Sequence, residues 1–203
     1  MNSFEKLTEL FEEFPGIGAR QARRFAYFLL SKNKDYLENF TTLVNSIKKD
    51  VTKCASCMRF FGKKGSETMC NICSDKTRDP SLLLLVSKDA DLSAIEKSNV
   101  YLGFYFVLGG IIPILEKNPE SKIRTEDLKR AVEGRAQNGL KEIIFALSAT
   151  QEGEHTREFI EKFLEEYKSK GIKFSELGRG LSTGAELEYA DPDTIKAALQ
   201  NKK

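Results

Sequence analysis

The 203-residue chain is 40% hydrophobic and 31% charged, has no tryptophan, and balances 32 Lys+Arg against 30 Asp+Glu for a formal charge of +2. The hydrophobic share excludes a disordered chain, and near-neutrality excludes a wholesale polycation while leaving room for a local basic face. A single histidine argues against a His-based metalloenzyme or a Ser-His-Asp hydrolase, and at roughly 100–200 residues per domain the length admits one large domain or several small ones.

The start of the chain carries Glu5, Lys6 and Glu9 with no apolar h-region behind them, so a cytoplasmic protein is expected. Phe4, Leu7, Leu10, Phe11 and Phe14 fall at helical spacing and predict a first helix with one apolar stripe. Phe14-Pro15-Gly16-Ile17-Gly18 then requires a sharp turn, after which a second helix carries Ala22, Phe25, Ala26 and Leu29 on its core side. On another face Arg20, Arg24, Tyr27 and Ser31 stack, with Arg23 beside them. From Phe14 to Lys34 there are five basic residues and no acid. Glycines let backbone N–H groups approach a ligand, a helix N-terminus presents them with a positive dipole, and arginines a turn further on reach neighbouring phosphates. Pro15-Gly16-Ile17-Gly18 leading into a basic helix resembles the helix-hairpin-helix of DNA-repair proteins; the plain alternative is a turn between packed helices. A third helix, from Asp35 to about Lys49, is expected to pack Leu37, Phe40, Val44 and Ile47 against the pair.

Cys54, Cys57, Cys70 and Cys73 spell C-x2-C, twelve residues, C-x2-C. Two such knuckles supply the tetrahedral thiolate set that zinc prefers, and the turn-rich interval suits a small hairpin between them. A disulfide pair needs a secreted context, and a redox C-x-x-C would not come in two copies. Four protein ligands leave no open position, so one structural Zn2+ per chain is expected, folding a segment too small to bury a core. Around it Lys53, Arg59, Lys63, Lys64, Lys76 and Arg78 outnumber Glu67 and Asp75, either to touch phosphate or simply to be solvated.

After Pro80 the pattern changes. Leu82 to Val86 is a continuous apolar run, the signature of a strand buried on both faces. A short helix follows from about Asp89 to Lys97, with Leu92 and Ile95 inward. Ser98 to Leu115 is uncharged over 18 residues, but Gly103, Gly109, Gly110 and Pro113 mark it as a buried strand (Gly103 to Leu108) and a glycine-rich loop rather than a membrane span. Thr125 is placed to cap a helix running to about Asn138 with Gly139 as its stop, and Glu142 to Leu147 reads as a third strand. Phe159, Ile160, Phe163, Leu164 and Tyr167 mark a helix ending at Gly171, and Ile172, Phe174 and Leu177 a fourth strand. Four alternations of strand and helix predict a parallel sheet covered on both faces, with ligands at the carboxyl ends of the strands. No P-loop and no G-x-G-x-x-G occurs. His155 is read as a surface or packing residue, and Asp191-Pro192 as N-cap and first residue of a last helix with Ile195, Ala198 and Leu199 on its sticky face.

The order of these parts, together with Asp91-Leu92-Ser93-Ala94-Ile95-Glu96, Tyr105-Phe106-Val107-Leu108-Gly109-Gly110, Glu152-Gly153-Glu154-His155-Thr156 and the tail from Gly180 to Asp191, resembles the bacterial RecR family of recombination mediators across nearly the whole chain. The resemblance implies a multidomain α and α/β protein. Its parts are a helix-hairpin-helix DNA-binding domain (1–52), a C4 zinc finger (53–78), a Toprim domain (79–178) and a C-terminal assembly segment (179–203). It implies a homotetrameric ring clamp that binds gapped, single- and double-stranded DNA near the nucleoid. Such a clamp acts with RecO, and with RecF where present, to load RecA, without being an enzyme. Arg20 and Arg24 match the family's DNA-contacting basic positions, with Arg23 beside them. Catalytic Toprim enzymes hold Mg2+ with a glutamate after the first strand and an aspartate pair after the third. Here Ser87 stands at the first position, and Ser148-Ala149-Thr150 replaces the family's Asn-Pro-Thr. The remaining acids, Asp89 and above all Asp91, Glu96, Glu152 and Glu154, form either a weak metal site or a partner-binding rim, and the rim is the reading adopted. The alternatives are a Mg-dependent Toprim nuclease or nucleotidyl transferase, and a zinc-ribbon protein of transcription or RNA.

Overall fold

The computed structural model describes residues 1–178, 180–181, 184 and 186–200, with the side chains of residues 193 and 200 excepted; Ser182, Thr183 and Ala185 of the tail motif lie outside the described residues. The chain forms two compact units, Met1–Val51 and Thr52–Lys203. Among the described residues no helix is long and apolar enough to cross a membrane.

In the first unit, α1 (Ser3–Glu12) opens with a capping box: Glu5 N–H donates to the Asn2 side chain at 3.0 Å and Asn2 N–H to the Glu5 carboxylate at 2.8 Å. The chain turns through Gly16, whose φ of +77° is costly for any residue with a Cβ, and enters α2 (Ala19–Leu30). Ala22 and Ala26 are fully buried, small enough to bring the helix close to α1. Aromatic pairs close the seam, Phe4 on Tyr27 at 4.9 Å and Phe11 on Phe25 at 5.7 Å between ring centres. Two details depart from helical spacing. α1 stops before Phe14, which is half exposed with its ring edge against Phe11, and Tyr27 contacts Phe4 rather than serving only the arginine face.

The third helix, α3 (Lys34–Asp50), is capped by Asn33, whose side chain accepts from Tyr36 N–H. Its expected packing is not what is found. Phe40, Val44 and Ile47 are 38%, 54% and 58% exposed, and no residue of the helix is buried. Leu10, Phe25, Phe28 and Leu30 of the pair stay exposed as well, and the ring contact between α3 and α2 lies near the start of α3, where Tyr36 sits edge-on to Phe28.

The second unit is α/β. A two-stranded ribbon, β1 (Val51–Lys53) with β2 (Phe60–Gly62), and the short α4 (Asn71–Ser74) carry the four cysteines. Then follow β3 (Asp79–Val86), α5 (Asp89–Lys97), β4 (Gly103–Val107), α6 (Thr125–Ala136), β5 (Glu142–Ala146), α7 (Gln151–Phe163), α8 (Glu165–Ser169) and β6 (Lys173–Glu176). The four long strands are all parallel in the order β4-β3-β5-β6, with Leu84 opposite Tyr105 on one side and Ile144 on the other. Alternation divides the core. Leu83, Leu85, Phe106, Ile143 and Phe145 join Leu128 and Val132 of α6 and Ile160 of α7. Leu84, Val86, Tyr105 and Val107 join Leu92 of α5 and, on the same face, Cys54, Cys57 and Cys70. The helix after β3 and the helix after β5 therefore cover opposite faces, which makes the carboxyl ends of these neighbouring strands the sheet's switch point.

Four bonds fasten the cysteine segment to the α/β body, one of them from the Arg135 guanidinium to the Ser56 hydroxyl at 3.0 Å. β4 is an edge strand, and beyond its pairing with β3 its Val107 N–H donates to the Cys57 carbonyl at 2.9 Å, so the knuckle closes an edge that would otherwise be open. The Arg124 guanidinium donates to the Met58 carbonyl at 2.6 Å and the Val107 carbonyl at 3.1 Å, and lies 6.0 Å from the Phe60 ring centre. Asp89 accepts from Phe60 N–H at 2.7 Å. Arg124 is consequently the N-cap of α6 without a side-chain capping bond, and Thr125, read from sequence as the cap, is the first helical residue.

The expected single helix from Phe159 to Gly171 is broken at Leu164, which ends α7 and starts α8 while staying fully buried. Gly139 and Gly171 end their helices at φ +88° and +90°. In the tail, Asp191 accepts from Thr194 N–H at 2.9 Å and caps α9 (Pro192–Gln200), as the Asp-Pro pair predicted.

Two substitutions test this packing by denaturant unfolding of the purified protein. Arg124→Ala removes two charge-assisted bonds to backbone carbonyls and should cost about 2–4 kcal/mol, with Arg124→Lys recovering part of it. Gly153→Ala places a Cβ 2.0 Å from the Ser148 carbonyl oxygen. Overpacking at such a site should cost about 1–3 kcal/mol, and an unchanged midpoint would contradict the close approach of β5's loop to α7.

Candidate functional site

The four cysteines converge. Their sulfurs all lie within 4.8 Å of one another, with Cys57 and Cys70 Sγ 3.7 Å apart. A tetrahedral tetrathiolate with metal–sulfur distances of about 2.3 Å has sulfurs about 3.8 Å apart, so the donor set fits a closed four-coordinate metal site. Cys54, Cys57 and Cys70 are buried and Cys73 is partly exposed. The thiols compete for the same protons: hydrogen bonding to Cys57 holds Cys54 well below the usual thiol value, and the same contact pushes Cys57 up. Cys70 N–H also donates to Cys54 Sγ at 3.3 Å, a bond that favours thiolate. Nothing about this site is open: four protein sulfurs, three of them buried under the edge of the sheet, leave a bound metal no position for a substrate.

On α2, Arg20, Arg23 and Arg24 are all exposed, and none has a carboxylate partner among the described residues. Arg24 donates to the Gln21 side chain at 3.3 Å, within its own helix. The helix begins at Gly18 with no side-chain capping bond and no acid in its first turn, so its first N–H groups and its dipole are unopposed by protein. The Gly16 turn, the uncapped N-terminus and the three guanidinium groups thus form one surface suited to phosphate.

At the carboxyl ends of the strands the acids are dispersed. Asp91 accepts from Lys88 N–H at 2.9 Å and closes the first turn of α5. Asp89 holds Phe60. Glu96 is paired with Arg78, which also donates to the Gly103 carbonyl at 3.0 Å. Glu154 belongs to the ring of carboxylates around Arg157 that includes Glu161 and Glu176, and it lines a cleft of about 190 Å³ between β5, β6 and α7. Glu152 is exposed at the start of α7. Among the described residues, the four cysteines are the only group of three or more potential ligands brought within coordinating reach. Ser87, at the switch point, is 2% exposed, and its hydroxyl has no hydrogen-bond partner among the described residues. Thr150 caps α7, accepting from Gly153 N–H at 3.2 Å. Thr156 accepts from Ile112 N–H at 2.9 Å and fixes the glycine loop after β4.

Arg124 and the Arg78–Glu96 pair are not legible in the sequence: Arg78 reads only as local charge, and nothing in the spacing of Arg124 announces that its side chain crosses to a residue 66 positions earlier.

Comparison with known proteins agrees with this geometry. Residues 4–47 match the family described as RecR, helix-hairpin-helix; residues 81–177 match the Toprim domain; residues 180–203 match RecR, C-terminal. The Recombination protein RecR of Limosilactobacillus reuteri (strain DSM 20016) is 38% identical over 198 residues, covering 97% of this chain and 94% of that protein. Those of Ureaplasma urealyticum serovar 10 and Streptococcus thermophilus are 34% identical over 200 residues and 35% over 199. These alignments cover 98% and 97% of this chain, and 95% and 94% of the relatives. With a helix-hairpin-helix, a four-cysteine cluster and a Toprim sheet in that order, the chain belongs to the RecR family of recombination proteins.

Proposed function

We propose that this chain is a DNA-binding recombination mediator that assembles into a homotetrameric ring clamp on gapped DNA. It acts there with RecO, and with RecF where present, to load RecA, and it catalyses no reaction of its own. The observation that carries the reading is the α2 surface, where three exposed arginines without carboxylate partners follow an uncapped, glycine-entered helix start. Contacts of that kind hold backbone phosphates and position a nucleic acid without reading its sequence, as a mediator acting at any gap requires. Self-assembly is supported by the exposed apolar faces of α3 (Phe40, Leu43, Val44, Ile47) and of α9, whose Leu199 is 64% exposed. The working divisions are 1–52 for DNA, 53–78 for zinc, 79–178 for the Toprim body and 179–203 for assembly, in a cytoplasmic protein close to the nucleoid.

One Zn2+ per chain is assigned to Cys54, Cys57, Cys70 and Cys73, supported by the tetrahedral spacing of their sulfurs. When bound, it supplies a structural cross-link and no Lewis-acid chemistry. Asp91, Glu96, Glu152 and Glu154 are assigned to a partner-binding rim. Their dispersal, with Ser87 where a catalytic Toprim has its glutamate, weighs against a magnesium-dependent nuclease or nucleotidyl transferase.

Reversing Arg20 and Arg24 together to glutamate should weaken binding to gapped DNA while leaving zinc content and oligomeric mass unchanged. The salt slope should fall by about 1.8, at roughly 0.9 per duplex phosphate no longer neutralised. Unaltered binding in that double variant would overturn the assignment. Metal analysis should find one zinc per chain in the wild type and a loss of zinc in Cys57→Ser. Zinc should also be released as pH falls, because protons compete with the metal for the thiolates.

A further inference from the structure

Beside the cysteine cluster, the ribbon and α4 enclose an open groove of about 680 Å³ that the proposed clamp function does not use. Its walls carry Arg59 and Lys64, and neither has a carboxylate partner among the described residues. Phe61 and Met69 line it with apolar surface, Met69 being 48% exposed, and Asn71 adds an amide. Glu67 is its one acid. The α2 surface differs in form: its cations and helix start, with the exposed Tyr27 beside them, lie along one helix, whereas here cations and apolar side chains line a groove. Cations alone serve the phosphates of a duplex. A concave lining that alternates cations with an aromatic ring and a thioether also serves base faces, which are free only when a strand is unpaired. Asn71 can bond base edges as donor and acceptor.

We propose that this groove is a second nucleic-acid site, which holds a segment of single-stranded DNA by its phosphates at Arg59 and Lys64 and by its bases over Phe61 and Met69. The proposal rests on the DNA-binding reading above and deepens it: a protein that works at gaps meets both duplex and single strand, and the chain carries two cationic surfaces of different form, one along a helix and one in a groove. The cysteine cluster gives the groove its rigidity, because the segment between the knuckles is anchored at both ends by buried sulfurs and by the bonds of Cys57, Met58 and Phe60 to the α/β body.

The test uses the full-length, zinc-loaded protein and fluorescence anisotropy with a labelled oligothymidylate and a labelled duplex of the same length. Arg59→Glu/Lys64→Glu should weaken single-strand binding at least tenfold and duplex binding less than threefold, with zinc content and thermal midpoint unchanged. Met69→Ser should weaken single-strand binding several-fold without changing its salt slope, which separates base contact from phosphate contact. In an Arg20→Glu/Arg24→Glu background the residual single-strand binding should disappear when the groove is also reversed. Single-strand affinity within twofold of the parent in the groove variant, with duplex binding intact in the wild type, would overturn the groove alone. A wild-type protein that binds neither probe at low salt would overturn the groove together with the clamp reading. Competition by thymidine monophosphate as effective, per nucleotide, as the oligomer would assign the groove to a free nucleotide and overturn the strand.

Discussion

The second unit depends on one seam, where the cysteine knuckle closes the outer edge of the parallel sheet. Val107 of the edge strand would present an unpaired N–H, which the Cys57 carbonyl accepts, and the Met58 carbonyl of the knuckle accepts from the Arg124 guanidinium. Arg124 holds both sides of the joint through the Met58 and Val107 carbonyls, and its charge strengthens those bonds. Because Cys54, Cys57 and Cys70 share a core with Leu84, Val86, Leu92 and Tyr105, the metal-binding segment cannot be loosened without exposing one face of the sheet. A segment this short has no core of its own; it borrows the sheet's edge, and its four converging cysteines could hold a metal cross-link.

That seam also shapes what the Toprim sheet is free to do. The carboxyl ends of β3 and β5 form the switch point where an α/β sheet takes its ligand, yet the residue at the end of β3 is a buried serine rather than a carboxylate. The acids nearby are spent on the fold: Asp91 closes α5, Asp89 pins the ribbon, and Glu96 holds Arg78. Among the described residues these carboxylates cap and pair rather than gather into a metal-holding group.

Much of this was legible in the sequence, for identifiable reasons. The strand at Leu82 to Val86 is apolar on both faces because it lies at the centre of the sheet, and helix α5 is bounded by the residues that its periodicity indicated. The four cysteines needed only their spacing. What the sequence hid were contacts between distant positions. Helical periodicity marks an apolar face but not what covers it: Phe40, Val44 and Ile47 lie on such a face of α3 and stay exposed, as do Leu10, Phe28 and Leu30 of the helices expected to cover them. Thr125 has a capping residue's chemistry one position too late, because the chain commits Arg124 to the knuckle. The exposure of the α2 arginines follows from charge and spacing alone, since an outward face answers to solvent rather than to packing.

The central claim is that this chain holds DNA through fixed cationic surfaces and does no chemistry on it. The most direct measurement is a titration of the zinc-loaded protein into labelled gapped DNA at several salt concentrations, with and without Mg2+, followed by a gel of the recovered DNA. The account predicts binding that weakens as salt rises, by a slope of roughly 0.9 for each duplex phosphate neutralised, and DNA returned intact in both arms. DNA cleaved in the magnesium arm, or affinity indifferent to salt, would contradict it.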